Sequence, residues 1–211
     1  MADTAASENS NQIRNARQSP ASHLREAFVS GSAAGAVELR EVPFLTMIGV
    51  RVDPQTEAGM RISSVTGGLP PKSGDVRGTG DTAVLWLGPE EFLVVAPTEV
   101  HESLGTDLIQ RLLAALADGQ GQVVDLSSNR TTFELSGPRS CAMLEKGCSL
   151  DLHPSVFKAG MALSTEIGGI PAVLWKTAEE TYRIFPRASF AEFLGRWLLD
   201  AMREYASPEV P

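Results

Sequence analysis

Gly78-Thr79-Gly80-Asp81-Thr82-Ala83 fits the G-x-G-x-x-A pattern, in which glycines bring a backbone close to a pyrophosphate at a helix N-terminus. That chemistry needs a strand before the glycines and a helix after them. The residues that follow, from Ala83, read as a strand, so the hexapeptide is assigned to a loop and not to a nucleotide site. The three histidines, His23, His101 and His153, lie far apart, and none stands at metal-ligand spacing from another His, Cys or carboxylate pair. Asp151-Leu152-His153 would set a carboxylate beside an imidazole on one face of an extended segment. Pro154 follows directly, however, and a surface turn is expected there; no G-x-S-x-G elbow exists to complete a triad. Cys141 and Cys148, on and just past a predicted helix, read as free thiols behaving as small hydrophobes. Asn129-Arg130-Thr131 has the form of a glycosylation acceptor, but without a secretory signal it is read as chance.

Two further pairs remain. Glu90-Glu91 and Glu179-Glu180 fall on two similar turns, and Trp86 and Trp175 on two similar strands. An acid and base pair needs two carboxyls in different environments, whereas repeated carboxylates mark a structural turn. Repeated tryptophans are expected to fill equivalent core or interface positions. The residues thus assign no catalytic, cofactor-binding or metal-ligating position.

These pairs belong to a longer repeat. Ala83 to Pro97 reads AVLWLGPEEFLVVAP, and 89 residues later Ala172 to Pro186 reads AVLWKTAEETYRIFP, with seven of fifteen positions identical. Beyond each proline, Leu104, Leu108, Ile109, Leu112, Leu113 and Leu116 fall at the same offset on Phe193, Trp197, Leu198, Ala201, Met202 and Tyr205, a stripe of helical spacing. Each copy is expected to be a hairpin with a helix packed on it, about 82–117 and 171–206. Two copies so far apart indicate not a solenoid but a pseudo-symmetric α+β domain.

Around the copies, residues 1–22 are expected to be a flexible tail, 23–206 one domain and 207–211 a C-terminal tail. His23 to Val29 reads as a short helix, and Val42 to Val52 alternates as a strand. Gly67 to Gly80 reads as a long loop, and Thr98 as the cap of a helix ended by Gly119 and Gly121. Gln122 to Leu126 and Arg130 to Leu135 read as strands. Gly137-Pro138 opens a helix through Lys146, Gly168-Gly169 forms a two-residue hairpin turn, and Ser189 with Glu192 makes a capping box for the last helix.

Composition narrows the function further. The 211 residues carry 18 Lys and Arg against 26 Asp and Glu, and a net charge of -8 without a basic cluster argues against nucleic acid. No stretch approaches the roughly 20 apolar residues that span a bilayer. The first 35 residues hold no continuous apolar run of a secretory signal, so a cytoplasmic location is expected.

Taken in order, several segments resemble the gamma subunit of bacterial heterotetrameric sarcosine oxidase. They are Ser19-Pro20, Arg40-Glu41-Val42-Pro43-Phe44, Trp86-Leu87-Gly88-Pro89-Glu90-Glu91-Phe92, Asp125-Leu126-Ser127, Glu134-Leu135-Ser136-Gly137-Pro138, Lys146-Gly147-Cys148-Ser149-Leu150-Asp151-Leu152, Thr181-Tyr182-Arg183 and Arg187-Ala188-Ser189-Phe190-Ala191. The resemblance runs from about His23 to Tyr205. It implies a pseudo-duplicated α+β domain of the folate-binding, aminomethyltransferase-like kind, with mostly antiparallel sheets and packed helices. It also implies a noncatalytic structural and assembly component of a complex that oxidises sarcosine to glycine with peroxide formation and one-carbon transfer to tetrahydrofolate. FAD, FMN, NAD, zinc and tetrahydrofolate would sit on the alpha, beta and delta partner subunits and none on this chain. The alternative within the same fold is an independent folate-binding one-carbon (aminomethyl) transferase.

Overall fold

The computed structural model describes residues 17–97 and 108–206. A 3-10 turn, Ser22–Leu24, leads into α1 (Arg25–Gly31), β1 (Glu38–Glu41), β2 (Thr46–Arg51), α2 (Glu57–Thr66), β3 (Val76–Thr79), β4 (Thr82–Gly88) and β5 (Glu91–Ala96). Then come α3 (Leu108–Leu116), β6 (Gln122–Asp125), β7 (Phe133–Ser136), α4 (Ser140–Glu145), β8 (Ala162–Ile167), β9 (Ile170–Ala178) and β10 (Thr181–Pro186). A second 3-10 turn, Ala188–Phe190, enters α5 (Ala191–Ala206).

The strands form two antiparallel sheets, one ordered β3-β4-β5-β2-β6 and the other β8-β9-β10-β7-β1. Alternation along each strand gives each sheet two apolar faces. Ile48, Val50, Val84, Phe92 and Val94 of the first sheet pack under Ile62 of α2 and Leu108 and Leu112 of α3. Phe133, Leu135, Leu174, Tyr182 and Ile184 of the second pack under Phe28 of α1, Met143 and Leu144 of α4, and Leu194 and Leu198 of α5. The opposite faces meet each other, with Met47, Leu85, Leu93 and Val95 against Ala162, Val173 and Phe185. The layers therefore run helices, sheet, sheet, helices, each closing apolar area that its neighbour would otherwise expose. Each large side chain buried outright, such as Phe92 or Phe133, contributes about 1.5–3 kcal/mol.

The two hairpins that carry the sequence repeat correspond in the structure, but not at the offset of the identical letters. Trp86 pairs with Phe92 and Gly88 with Glu91, around a turn at Pro89-Glu90. Lys176 pairs with Tyr182 and Ala178 with Thr181, around a turn at Glu179-Glu180. The position of Trp86 is therefore taken by Lys176, one residue beyond Trp175. Because side chains alternate along a strand, that single step puts the identical residues on opposite faces. Trp86 packs with the helix-side core of its sheet, whereas Trp175 packs with the core between the sheets. The expectation that the two tryptophans fill equivalent positions is thus corrected. The helices shift with the strands: buried Leu108 and Leu112 correspond to buried Leu198 and Met202, and half-buried Trp197 and Ala201 flank that stripe.

Other boundaries also differ from expectation. Residues 57–66, which had no predicted element, form α2, capped by Thr56, whose Oγ1 accepts from the Gly59 amide at 3.1 Å. The expected loop 67–80 contains β3. The strand expected from Val42 begins at Thr46, because Phe44 has φ 61° and breaks the extended run after Pro43. Ala117, at φ 49°, makes the left-handed turn out of α3 ahead of Gly119 and Gly121. Ser189 lies inside the second 3-10 turn and is not the cap of α5. Gly168-Gly169 forms the tight hairpin, with φ 58° and 78° and Ile167 paired to Ile170. Thr98, His101 and Leu104 lie outside the described residues.

The end of the expected N-terminal tail is packed against the body. Ser19 and Ala21 are buried, and Glu41 receives the Ser19 hydroxyl, the Ala21 amide at 3.1 Å and the Thr131 hydroxyl at 2.6 Å. On the outer edge of β1 one amide is occupied by Ser32, just past α1: its Oγ donates to Phe28 O at 2.7 Å and accepts from the Leu39 amide at 3.0 Å.

Candidate functional site

A wide concavity lies at the Pro89-Glu90 turn. Two adjoining hollows of about 750 and 670 Å³ share Asp53, Pro89 and Glu90. One wall is the exit of β2 and the start of α2, where Thr56 Oγ1 donates to Asp53 O at 2.7 Å and Asp53 Oδ1 accepts from the Gln55 amide at 2.8 Å. Met60, Leu69 and Trp86 supply an apolar wall, and Lys72 and Ser73 stand on the rim. Glu90 and Glu91 part company here. Glu91 holds the Arg51 guanidinium at 2.9 Å, and that hydrogen bond and charge push Arg51 above its ordinary pKa; this pair lines the second hollow alone, while Glu90 lines both. An open cleft with one apolar wall and charged groups of both signs around it suits recognition of a chain or small molecule of mixed polarity.

The corresponding turn of the second sheet is closed. Lys176 is 1% exposed; its Nζ donates to Phe157 O at 3.3 Å, lies 3.6 Å from the Glu179 carboxylate and sits 5.7 Å from the centre of the Tyr182 ring. Tyr182 stacks on Phe157 at 6.4 Å. Burial first, then the nearby Cys141 thiol and the negative charges of Glu179 and Glu145, hold the Tyr182 phenol well above its ordinary pKa. A phenol so held stays protonated and cannot act as a base. The equivalence expected of the two glutamate pairs therefore covers the turns alone, not their surroundings.

A third arrangement crosses the second sheet on its inter-sheet face. Trp175, Arg183, Glu134 and Arg40 lie opposite one another on β9, β10, β7 and β1. Glu134 accepts from Arg183 Nε at 3.0 Å and Arg40 Nε at 2.9 Å, and the Arg183 guanidinium lies 5.7 Å from the centre of the Trp175 ring. Burial pushes the Glu134 carboxyl up, but the bonds from Arg40 and Arg183 outweigh it and hold the group below its ordinary value. This is a fixed ion ladder whose carboxylate is spent on two guanidiniums.

The remaining residues singled out in the sequence stay apart. Gly78 to Ala83 is the β3–β4 hairpin, with Thr79 paired to Thr82 and no helix after it, so these glycines do not fit a pyrophosphate. Asp151 Oδ1 accepts from the His153 amide at 2.9 Å, and His153 Nδ1 lies 2.7 Å from Ser155 Oγ, which makes a surface turn and no carboxylate–imidazole pair. His23 lies 3.9 Å from Glu192. Cys141 and Cys148 are free thiols, near Leu152 O and the Thr165 hydroxyl respectively. Among the described residues no group of three His, Cys, Asp or Glu side chains is placed to hold a metal ion. Sequence reasoning passed over Asp53, Lys72 and Lys176; the one available signal was a lysine inside an otherwise apolar strand.

Known proteins match this arrangement over most of its length. The family model described as "Sarcosine oxidase, gamma subunit family" matches residues 53–204. The sarcosine oxidase subunit gamma of Corynebacterium sp. (strain P-1) is 48% identical over 92% of this chain and 94% of its own length. A chain of the heterotetrameric sarcosine oxidase from Corynebacterium sp. U-96, solved in complex with pyrrole 2-carboxylate, superposes with a TM-score of 0.85 at 44% identity, over 92% of this chain and 99% of that one. The glycine cleavage system aminomethyltransferase T from Bartonella henselae shares the fold, with a TM-score of 0.60 at 16% identity over 85% of this chain and 49% of that one.

Proposed function

Because this chain belongs to the sarcosine oxidase gamma subunit family, we propose that it is the gamma subunit of a heterotetrameric sarcosine oxidase and serves there as a noncatalytic component of the assembly. The observation that carries the reading is the likeness to a chain of the solved heterotetramer, at a TM-score of 0.85 over 99% of that chain. Support for a structural role comes from how the buried polar groups are used. Glu41 fastens the N-terminal segment, Glu134 ties three strands together and Lys176 closes a turn.

The complex would oxidise sarcosine to glycine with formation of peroxide and pass the one-carbon unit to tetrahydrofolate. Taking a hydride from an N-methyl amine needs a flavin, because no side chain accepts one. FAD, FMN, NAD, zinc and tetrahydrofolate are assigned to the alpha, beta and delta partners. The location is cytoplasmic in this reading; among the described residues no helix is long and apolar enough to cross a membrane. We read the two hairpin-and-helix units as a pseudo-duplication, supported by the matching strand orders and by hairpins that correspond pair for pair.

The test is coexpression with the other oxidase subunits, followed by purification through a tag on one of them and assay of sarcosine-dependent peroxide. The chain should co-purify in fixed stoichiometry. A chain that stays out of an active oxidase overturns the reading. The cleft at Pro89-Glu90 favours one second reading, an independent folate-binding one-carbon transferase. Calorimetry with tetrahydrofolate on the chain alone separates the two, since only the transferase should bind it.

A further inference from the structure

Arg130 and Arg187 face each other across an isolated antiparallel bridge. Arg130 is half-buried. One of its nitrogens, Nη1, donates to Phe185 O at 2.8 Å, whereas Nε is buried with no hydrogen-bond partner among the described residues. Burial and, after it, the positive charge of Arg187 bring the Arg130 guanidinium below its ordinary pKa. Neither arginine forms an ion pair among the described residues, although the chain as a whole carries a net charge of -8. By contrast, Arg40 and Arg183 are compensated by Glu134, and Arg196 by Glu192. Two uncompensated like charges side by side, one of them partly desolvated, cost free energy that an incoming anion would recover.

Two exposed aromatic rings follow this pair in the chain. The Phe190 amide donates to Arg187 O at 2.9 Å, so the second 3-10 turn carries the chain directly from Arg187 to Phe190, 38% exposed, and on to Phe193, 57% exposed. Arginine next to exposed aromatic rings is the composition enriched at the centres of protein interfaces, where a charge pair formed on docking is desolvated along with the rings.

We propose that Arg130, Arg187, Phe190 and Phe193 form a docking surface for another subunit of the oxidase, which presents an Asp or Glu carboxylate to the two guanidiniums and an apolar surface to the two rings. The proposal rests on the reading of this chain as an oxidase subunit. Charge complementarity selects an acidic partner: the two guanidiniums stand side by side with no carboxylate partner among the described residues.

The experiment compares hydrogen exchange of the full chain alone and within the purified assembly, and measures assembly with Arg187→Glu, Arg130→Met and Phe193→Ser variants. Residues 187–193 should be protected in the assembly. Arg187→Glu should raise the dissociation constant at least about tenfold, more at low salt than at high salt. Phe193→Ser should weaken assembly at all salt concentrations. Circular dichroism and melting of each variant chain separate lost docking from lost folding: Phe193→Ser should leave both unchanged, and Arg187→Glu should keep the spectrum and not lower the melting temperature, because it removes a like charge beside Arg130. Assembly at parental affinity, or unchanged exchange at 187–193 in an intact active complex, overturns this surface and leaves the subunit reading standing. A chain that never enters the assembly removes both. Inorganic phosphate or acetate that stabilises the chain at the pair, with 187–193 still exchanging freely in the complex, shows a free-anion site and overturns the proposal as well.

Discussion

Lys176 stands in the second sheet where Trp86 stands in the first. Each points to the helix side of its sheet and lies directly across from an aromatic residue of the next strand, Tyr182 and Phe92 respectively. An ammonium in place of an indole is tolerated because its hydrogens reach Phe157 O and the Glu179 carboxylate while its methylenes lie among apolar neighbours.

Truncation and replacement at this position should therefore differ. Lys176→Ala leaves a cavity and should destabilise the chain by about 2–4 kcal/mol, whereas Lys176→Met, which keeps the stem, should stay within about 1 kcal/mol. Chemical denaturation of both variants reads this directly, and equal losses would show that the charge and not the packing matters.

Glu134 should couple stability to pH. Its folded pKa lies below that of the unfolded chain, so its contribution is fully present above about pH 4.3 and is lost as pH falls through the folded value. Glu134→Gln should cost about 1–3 kcal/mol at neutral pH and flatten the acid limb of the stability curve. A parental acid limb in that variant would remove the ladder from the account.

Glu41 holds three donors, two of them on the segment before α1. Glu41→Ala should cost about 1–3 kcal/mol and free residues 17–24 for proteolysis well before global unfolding. Limited digestion with mass analysis of the first cut checks this; cleavage elsewhere first counts against it.

The two glycines of the hexapeptide should separate structure from nucleotide chemistry. A Cβ on Gly78, at φ 151°, would lie 2.0 Å from Thr82 O, whereas one on Gly80, at φ 56°, meets nothing within 4 Å. Gly78→Ala should cost clearly more than the roughly 1 kcal/mol of a strained turn residue, and Gly80→Ala about that much. Titration of the parental and both variant chains with NAD should give the same result; a change between them would return the motif to a cofactor role.

Much of the chain was legible in its residues. The alternation of Val84 to Val94 and of Ala172 to Ile184 marks both hairpins, and Gly168-Gly169 marks a third. α2 was not legible, because among Glu57 to Thr66 only Ala58, Ile62 and Val65 give it an apolar stripe, and its hold on the sheet is set by tertiary packing. The register of the repeat was misleading for a different reason. Identical letters carry no record of which face they occupy, and a step of one residue reverses every face. Of the sites, the Pro89-Glu90 turn was visible as a motif, but its cleft is made by Asp53 and the 69–73 loop, which sequence spacing does not bring near. The Arg130–Arg187 pair comes from a bridge between segments far apart in the chain, and no local pattern announces it.

The Ser32 hydroxyl that occupies the Leu39 amide bears on how many copies an assembly can take. A sheet whose last strand still offers its donors can be lengthened by any passing strand, and then by another, without limit. Here a single side chain, that of Ser32 just past α1, occupies a donor of that edge. Growth along the hydrogen-bonding direction is thereby discouraged at β1, and association is steered toward side-chain surfaces, which saturate at one neighbour each. A chain so protected at that edge is guarded against polymerising with itself.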